Sequence, residues 1–440
     1  MIPHNNSLKD STMDKAPRAS IYVPQVFRQF QGFTLRDIKE WSKEQKIEII
    51  LEKVPGKEHF CCRCGCQLGR QDGRYWVTAH HMRIMSWTVT VSFWREKRHC
   101  PSCKKIRTEA IDFISEATPH VTKDLAYWIN RLTEITSVLQ VSFLENLDKK
   151  TCYQVDKHIL LRFLQGYKIP KVTQISVDEV YARGPKQKKE GETRDDLFLT
   201  IIVDIKTHKV IWVSQSRRRE ALDQFFLLLG AEACSQIEVV ATDQHEGYGA
   251  SVREHCPNAT LVWDRFHLVQ KFNEALNEDR KAELLKIDPE GKMGDLMNGK
   301  YRYLYLTKAK NRSGKDKLHI EEVMKLNEKM AKMEIIKEHF HRVFDCVETI
   351  HAEVMMAEIY QWTLECGATN LFKWIKNIRE TKTFWNYFKY KVTTGISEGI
   401  NRAIKGVKWQ AYGYKDMQYF ALKIMQKVGY LNNRFIVVSV

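Results

Sequence analysis

The chain has 440 residues, 43% of them hydrophobic, which is enough for two or three domains with apolar cores. Its 70 lysines and arginines outnumber its 54 aspartates and glutamates, and the resulting charge of +16 favours a polyanionic partner such as nucleic acid. No stretch approaches the ~20 apolar residues of a membrane span, and residues 1–23 are polar and lack the apolar segment of a secretory signal. We therefore expect a cytoplasmic protein with a disordered tail at residues 1–23, no membrane attachment and unpaired cysteines.

Residues 24–112 contain two Cys-x-x-C pairs, one formed by Cys61 and Cys64 and the other by Cys100 and Cys103. Two thiolates at this spacing can bind one ion from a tight turn, and a second pair completes a tetrahedron. Strand-like sequence, including MRIMSWTVTVSFW, separates the pairs. The pattern predicts a zinc-binding module whose zinc is structural, because four protein ligands leave no position for a substrate.

The sequence offers other possible zinc ligands near the two pairs. Cys62 and Cys66 are close enough in sequence to replace a member of the first pair, and His80 and His81 could compete as ligands. The alternative is that the four cysteines are unrelated buried side chains, which the paired spacing disfavours.

Residues 113–170 have a helical pattern, with apolar residues recurring at spacings of three and four between Val121 and Phe163. Polar residues near Ser142 and at Asp148 predict breaks between helices. The last segment, TCYQVDKHILLRF, could be the recognition helix of a helix-turn-helix that enters the major groove of DNA. A three-helix linker without DNA contact is the alternative.

Residues 171–267 predict a mixed five-stranded sheet with helices, formed by the stretches QISVDEV, LFLTIIVDI, KVIWVS, IEVVATD and ATLVWD. The first three stretches fit an antiparallel meander. Helix-like sequence between the later stretches indicates parallel strands with right-handed crossovers. This is the order of a ribonuclease H-like α/β fold, in which the first and fourth strands are neighbours at the centre of the sheet.

Lone aspartates follow the apolar runs of the first and fourth strands, at Asp178 and Asp243, and Glu398 lies on a later helix-like segment, TTGISEGINRAIK. In the predicted fold the two aspartates lie side by side, and the helix that carries the glutamate packs across the sheet. Magnesium or manganese binds such hard oxygen ligands. Two ions about 3.5–4 Å apart can activate an attacking water or 3′-hydroxyl and stabilise the leaving oxygen. We therefore predict a two-metal phosphoryl-transfer site formed by the three carboxylates.

Other acidic residues in the core have structural interpretations. Asp204 fits a turn after the second strand, Asp223 lies inside a helix-like segment, and Asp264 is placed to cap the next helix through its side chain. Glu179 adjoins Asp178, so on a strand it would point to the opposite face of the sheet.

Residues 268–390 are almost entirely helix-like and predict an all-α insertion before the glutamate helix, which completes the core within residues 391–440. Between residues 371 and 415 there are ten lysines or arginines and two acids. Interleaved aromatic side chains could stack on unpaired bases, or they could form the core of the helical bundle; they are Trp374, Phe384, Trp385 and Tyr387. The residues that we predict to contact DNA are Arg217, Arg218, Arg219, Lys373, Trp374, Lys405 and Lys408.

The chain resembles insertion-sequence transposases of the ISL-three type. The resemblance extends from about residue 50 to residue 425, and it implies a DDE transposase with an N-terminal zinc-binding module and a helix-turn-helix. The stretches that carry it are VDE at 177–179, TDQHEGY at 242–248, CPNATLVWDRFH at 256–267 and EGINRAIKGVKWQAYGYKD at 398–416.

The resemblance also assigns roles to individual residues. It implies that the catalytic acids, which would bind the metal ions, are Asp178, Asp243 and Glu398. Asp264 and His267 resemble the C/D-x-x-H signature of related transposases, which makes them candidate accessory residues.

The implied function is that of a bacterial, nucleoid-associated enzyme acting on double-stranded DNA. It would bind the terminal inverted repeats of an insertion sequence as a homodimer, cut the DNA at both ends and transfer the freed 3′-hydroxyl into target DNA. The resemblance leads us to expect asparagine before the glycine that precedes the catalytic glutamate, but the residue there is Thr394. The immediate surroundings of Glu398 are therefore not predicted by the resemblance. Two alternatives remain: a DNA-binding regulator derived from such an enzyme, and a structure-selective nuclease on the same fold.

Overall fold

The part of the chain that the computed structural model describes excludes both termini. The predicted tail at residues 1–23 lies outside this part. For Gln187 and residues 395–398 the structure describes the backbone and not the side chains. The described residues are 30–188, 190–391 and 395–431.

The described chain forms two compact units. The first contains the residues up to Leu132 together with Leu139–Ile159, and the second contains Thr133–Val138 and the residues from Leu160 onward. None of the described helices is long and apolar enough to cross a lipid bilayer.

The first unit is built on one five-stranded sheet. Strand β2 lies between β1 and β4, and β4 also pairs with β3 and β5. Val89, Val91 and Phe93 alternate along β4 and are fully buried, because alternate side chains of a strand point to the same face. The strands are β1 (Phe33–Trp41), β2 (Lys46–Lys53), β3 (Gln71–Ile84), β4 (Trp87–Cys100) and β5 (Lys105–Thr108).

Three helices follow the sheet, and one of the two predicted breaks between them is wrong. Helix α2 continues through Ser142, whose hydroxyl donates to the Leu139 carbonyl oxygen over 2.7 Å and is thereby satisfied inside the helix. The predicted break at Asp148 is confirmed, since its carboxylate accepts from the backbone N–H of Lys150 and Thr151 at the start of α3. The helices are α1 (Lys123–Ile135), α2 (Val138–Glu145) and α3 (Lys149–Gly166).

The second unit contains a five-stranded mixed sheet in the order β10-β9-β6-β7-β8. β6, β7 and β8 are antiparallel neighbours, whereas β9 is parallel to β6 and β10 is parallel to β9. The predicted meander is therefore confirmed, and so is the prediction that the first and fourth strands of this sheet are adjacent at its centre. The strands are β6 (Gln174–Tyr181), β7 (Phe198–Asp204), β8 (Lys209–Gln215), β9 (Val239–Thr242) and β10 (Thr260–Trp263).

One face of this sheet packs against the helices that connect its later strands. Val177 of β6 shares an apolar core with Phe225 and Tyr248, which lie on these helices. Residue 178 consequently points to the other face, because side chains alternate along a strand. The connecting helices are α4 (Arg219–Leu229), α5 (Ala231–Ser235) and α6 (Glu246–His255).

A helical insertion follows β10. Asp279 of its first helix is buried and accepts hydrogen bonds from the backbone N–H of Asn370 and Leu371, which fixes two distant helices together. Asn386 of its last helix donates to the Leu261 carbonyl oxygen of β10 over 2.8 Å. The helices are α7 (Arg265–Leu284), α8 (Lys292–Leu296), α9 (Arg302–Leu306), α10 (Gly314–Leu326), α11 (Glu328–Val343), α12 (Thr349–Glu365), α13 (Thr369–Arg379) and α14 (Lys382–Tyr390).

Two helices complete the second unit: α15 (Gly395–Gln410) and α16 (Met417–Val428). α15 contacts β6, and α16 packs against β8. The buried residues of α15 recur at helical spacing, so this helix has one buried apolar face; they are Ile400, Ile404 and Val407. The predicted glutamate helix is therefore a helix that packs against the central strand of the sheet.

Candidate functional site

Asp178 lies within β6, and Asp243 directly follows β9, the parallel strand next to β6. The last paired residues of β6 and β9 are Ser176 and Ala241, and each aspartate lies two residues further along the chain. Neighbouring strands are about 4.8 Å apart, so this register places the two aspartates near each other. Both side chains are partly exposed, which leaves them accessible to a ligand.

Two side chains from different helices contact the carboxylate of Asp178. The Nδ2 atom of Asn401, on α15, donates a hydrogen bond to Oδ2 of Asp178 over 2.6 Å. The Nε2 atom of His267, near the start of α7, lies 3.6 Å from Oδ1. Sequence reasoning missed Asn401, although its position three residues after Glu398 in a helical segment was a usable signal, because such residues share a helix face.

Negative charge is concentrated at this edge of the sheet. Burial lowers the pKa of His267, but its interaction with Asp178 and the charges of Asp264 and Asp243 raise that pKa above its usual value overall. Burial raises the pKa of Glu179, and the charge of Asp243 raises it further. Both pKa shifts show that His267 and Glu179, which neighbour Asp178, feel the negative charge of Asp243.

The third predicted acid, Glu398, is described only through its backbone. It lies on α15, and its side chain is outside the described residues. Among the described side chains, no group of three or more carboxylates and histidines has its ligand atoms within 4.8 Å of one another. The hard oxygen donors of Asp178 and Asp243 fit magnesium or manganese, and a third carboxylate from α15 would add to them.

The rival acids have the structural roles that the sequence indicated. Asp204 accepts hydrogen bonds from the backbone N–H of Lys206 and the hydroxyl of Thr207, as a turn residue does. Asp264 caps α7 by accepting from the backbone N–H of Phe266 over 2.6 Å. The negative charge of Asp264 also raises the pKa of His267, so Asp264 both caps α7 and lies beside the site.

The three consecutive arginines predicted to contact DNA are engaged with acids of this unit. Arg217 Nε lies 2.8 Å from Asp195, and its Nη1 atom lies 3.2 Å from Glu179. Arg218 and Arg219 form ion pairs as well, and these neutralise charge that could otherwise attract phosphate; their partners are Asp196 for Arg218, and Asp223 and Glu254 for Arg219.

The other residues predicted to contact DNA differ in exposure. Lys373 and Lys405 are exposed, and Lys408 is half-buried with Nζ donating to the Tyr181 carbonyl oxygen over 3.1 Å. Trp374 packs edge-on against Phe340 in the core of the insertion, with ring centroids 5.5 Å apart. The interleaved aromatics join that core, as the alternative interpretation had it; they are Trp374, Phe384, Trp385 and Tyr387.

The four predicted zinc ligands form one cluster in the first unit. All their Sγ atoms lie within 4.8 Å of one another; they belong to Cys61, Cys64, Cys100 and Cys103. Cys64 Sγ is 3.5 Å from Cys100 Sγ and 3.6 Å from Cys103 Sγ. Four sulfurs around zinc at about 2.3 Å would be about 3.8 Å apart. The cluster therefore fits a tetrahedral zinc ion, and it includes none of the four alternative ligands.

Backbone groups around the cluster favour thiolates. The N–H of Arg63 points at Cys61 Sγ over 3.5 Å, and the N–H of Cys103 points at Cys100 Sγ over 3.3 Å. A hydrogen bond from the backbone of Cys66, helped by the neighbouring thiols, lowers the pKa of Cys64 to about 6. At Cys100 the hydrogen bond from the Cys103 backbone is outweighed by burial and the neighbouring thiols, which raise the pKa of Cys100 to about 11. A hydrogen-bonded thiolate at neutral pH is the form that binds zinc.

Comparison with known proteins identifies relatives across most of the chain. A family model described as transposase, DDE_Tnp_ISL3, matches residues 175–424. The transposase for insertion sequence element IS1001 of Bordetella parapertussis is 23% identical over 399 residues, which cover 90% of this chain and 95% of that protein. The transposase for element IS1557 of Mycobacterium tuberculosis is 34% identical over 88 residues, 20% of each chain. The family match runs from β6 into α16 and so includes the positions of the three predicted acids.

Proposed function

Because the chain belongs to the ISL3-type transposase family, we propose that it cuts DNA at the ends of an insertion sequence and joins the freed 3′-hydroxyl to target DNA. The sheet around Asp178 would be a ribonuclease H-like core. The cysteine module and the helices α1 to α3 would recognise the terminal inverted repeats. Since two ends must be cut together, the active form would be at least a dimer on DNA.

The observation that carries this proposal is the contact between α15 and Asp178. Asp178 lies on β6, Asp243 follows the neighbouring parallel strand β9, and Asn401 donates to Asp178 from α15. Glu398 precedes Asn401 by three residues, so the two positions share one face of the helix. This arrangement supports Glu398 as the third acid of the site.

The residues of the site would have different roles in DNA cleavage. Asp178, Asp243 and Glu398 would hold two divalent cations. When bound, these ions would supply Lewis-acid activation of the attacking oxygen and stabilisation of the leaving oxygen. Asn401 fixes the orientation of Asp178 through Oδ2, and His267 stands beside Oδ1, so both would act as positioning residues.

A strand-joining assay tests the proposal. A labelled duplex carrying the element's own end is incubated with the full chain, magnesium and a circular target. We expect cleavage at the end and a labelled product joined to the target, and neither without divalent cation. Binding without cleavage would favour a regulator, and cleavage without joining would favour a nuclease; either outcome overturns strand transfer.

Asn401→Ala is expected to slow cleavage about 10- to 100-fold, because a residue that orients a metal ligand typically has this effect. DNA binding, measured by mobility shift without divalent cation, should stay at the wild-type level. Asn386→Ala is the matched control, since it also removes an amide hydrogen bond, to the Leu261 carbonyl oxygen, and lies outside the site. Equal cleavage rates for the two variants would contradict a positioning role for Asn401.

A further inference from the structure

A groove with a volume of about 1060 Å³ opens beside the candidate site, within the second unit. One end is lined by His267 and Asn401, the two side chains that contact Asp178. From there the groove follows α15 to the turn after its last residue. Its size suits a short segment of a ligand, such as a few linked units, and not a whole folded partner.

The groove side of α15 is polar and aromatic from Asn401 to Trp409. Lys405 lies four residues after Asn401, and Lys408 and Trp409 lie three and four residues after Lys405, so these groove-lining residues share one face of the helix. At 1.5 Å per residue, this face is about 12 Å long. At 3.4 Å per nucleotide step, that length fits about three nucleotides.

Two aromatic rings in the groove lack the burial that such side chains usually have. Trp409 is 82% exposed and Tyr412 is 95% exposed. Tyr412 also has a φ of 54°, a left-handed conformation that costs a non-glycine residue free energy. These exposed rings lie in the groove beside the candidate functional site, and their free faces are suited to stacking on a flat ligand.

The groove is positively charged beyond its carboxylate end. Lys186 and Lys405 line it, and neither pairs with an acid among the described residues. Lys408 approaches the ring of Tyr181, with Nζ 5.6 Å from its centroid. The only acid that lines the described groove, Glu179, is paired with Arg217. A ligand with several negative charges and flat rings complements this surface.

We propose that this groove binds the unpaired nucleotides of a DNA strand end next to the phosphodiester that is cut, with a base stacked on Trp409 and phosphates near Lys405 and Lys186. The proposal deepens the proposed function and rests on it. Base faces are stacked inside a duplex and become available only when nucleotides are unpaired, which favours a single-stranded segment as the ligand.

The test compares two duplexes of one random sequence, one blunt and one with a three-nucleotide single-stranded extension. Binding is measured by fluorescence anisotropy with the full chain and without divalent cation. We expect the extension to tighten binding to the wild type about 10-fold, in line with stacking on an aromatic side chain. Trp409→Ala should abolish this gain while binding the blunt duplex as the wild type does.

Two variants make the result specific. Trp409→Phe keeps a stacking ring and should retain most of the gain. Tyr303→Ala removes another exposed aromatic, 72% exposed on α9 and away from the groove, and should retain all of it. The proposal is overturned if the wild type gains nothing from the extension, or if Trp409→Ala gains as much as the wild type.

A cleavage arm separates this proposal from the proposed function. Trp409→Ala should cut a fully paired element end about 10-fold more slowly than the wild type. An end with three mismatched base pairs at the cut should restore the rate at saturating DNA, because the groove no longer has to stabilise the unpaired state. If the wild type cuts neither substrate, the proposed function fails, while the anisotropy result still decides what the groove binds.

Discussion

Asp178→Asn is expected to lower magnesium-dependent cleavage of the element end by about 10³-fold or more. The substitution keeps the shape of the side chain and its ability to accept from Asn401, but it removes the negative charge that binds a divalent cation. Several kcal/mol of transition-state stabilisation depend on such a cation, and about 4 kcal/mol corresponds to 10³-fold in rate. Cleavage is measured as the rate of release of a labelled strand.

DNA binding by this variant should be unchanged or slightly tighter, because a negative charge near phosphate is lost. Asp204→Asn is the matched control. Asp204 belongs to the same sheet but pairs with Ile175 at the opposite end of β6, and its hydrogen bonds serve a turn. We expect it to cut within about twofold of the wild-type rate. Wild-type cleavage by Asp178→Asn, or loss of its DNA binding, would refute the assigned role.

The sequence was sufficient to predict the sheet and its two aspartates for a clear physical reason. An acid within or directly after a buried strand is costly unless it has a role, so Asp178 and Asp243 stand out from their apolar surroundings. The strand order followed from the alternation of strands and helices, and it determines that β6 and β9 are neighbours. The Cys-x-x-C spacing likewise predicted the sulfur cluster directly.

Contacts between residues distant in sequence were not predictable in the same way. Asp195 and Asp196, which pair with Arg217 and Arg218, lie just before β7, and no local pattern links them to the arginines. The sequence also could not separate buried from exposed aromatics. Trp374 and Trp409 both lie in lysine-rich helices, but only the packing of the folded helices leaves Trp409 open.

Cys100→Ser in the cysteine cluster is expected to lose the zinc that the wild type binds. We expect about one zinc ion per wild-type chain and close to none in the variant, because serine is a poor ligand for this soft site. Metal content is measured by elemental analysis after gel filtration. Zinc can supply on the order of 10 kcal/mol to the folding of a small domain, so its loss should also lower the melting temperature.

The packing around the cysteine cluster predicts which residues lose stability in Cys100→Ser. Cys61, Leu68 and Cys100 form a small cluster of their own, separate from the core around Phe93. Hydrogen exchange in Cys100→Ser should therefore rise most in residues 58–69 and 100–108, whereas the centre of the sheet keeps more of its protection. Cys62→Ser is the matched control, because Cys62 is exposed in the same loop and outside the sulfur cluster. Full zinc content in Cys100→Ser, or zinc loss in Cys62→Ser, would show that a different set of ligands holds the ion.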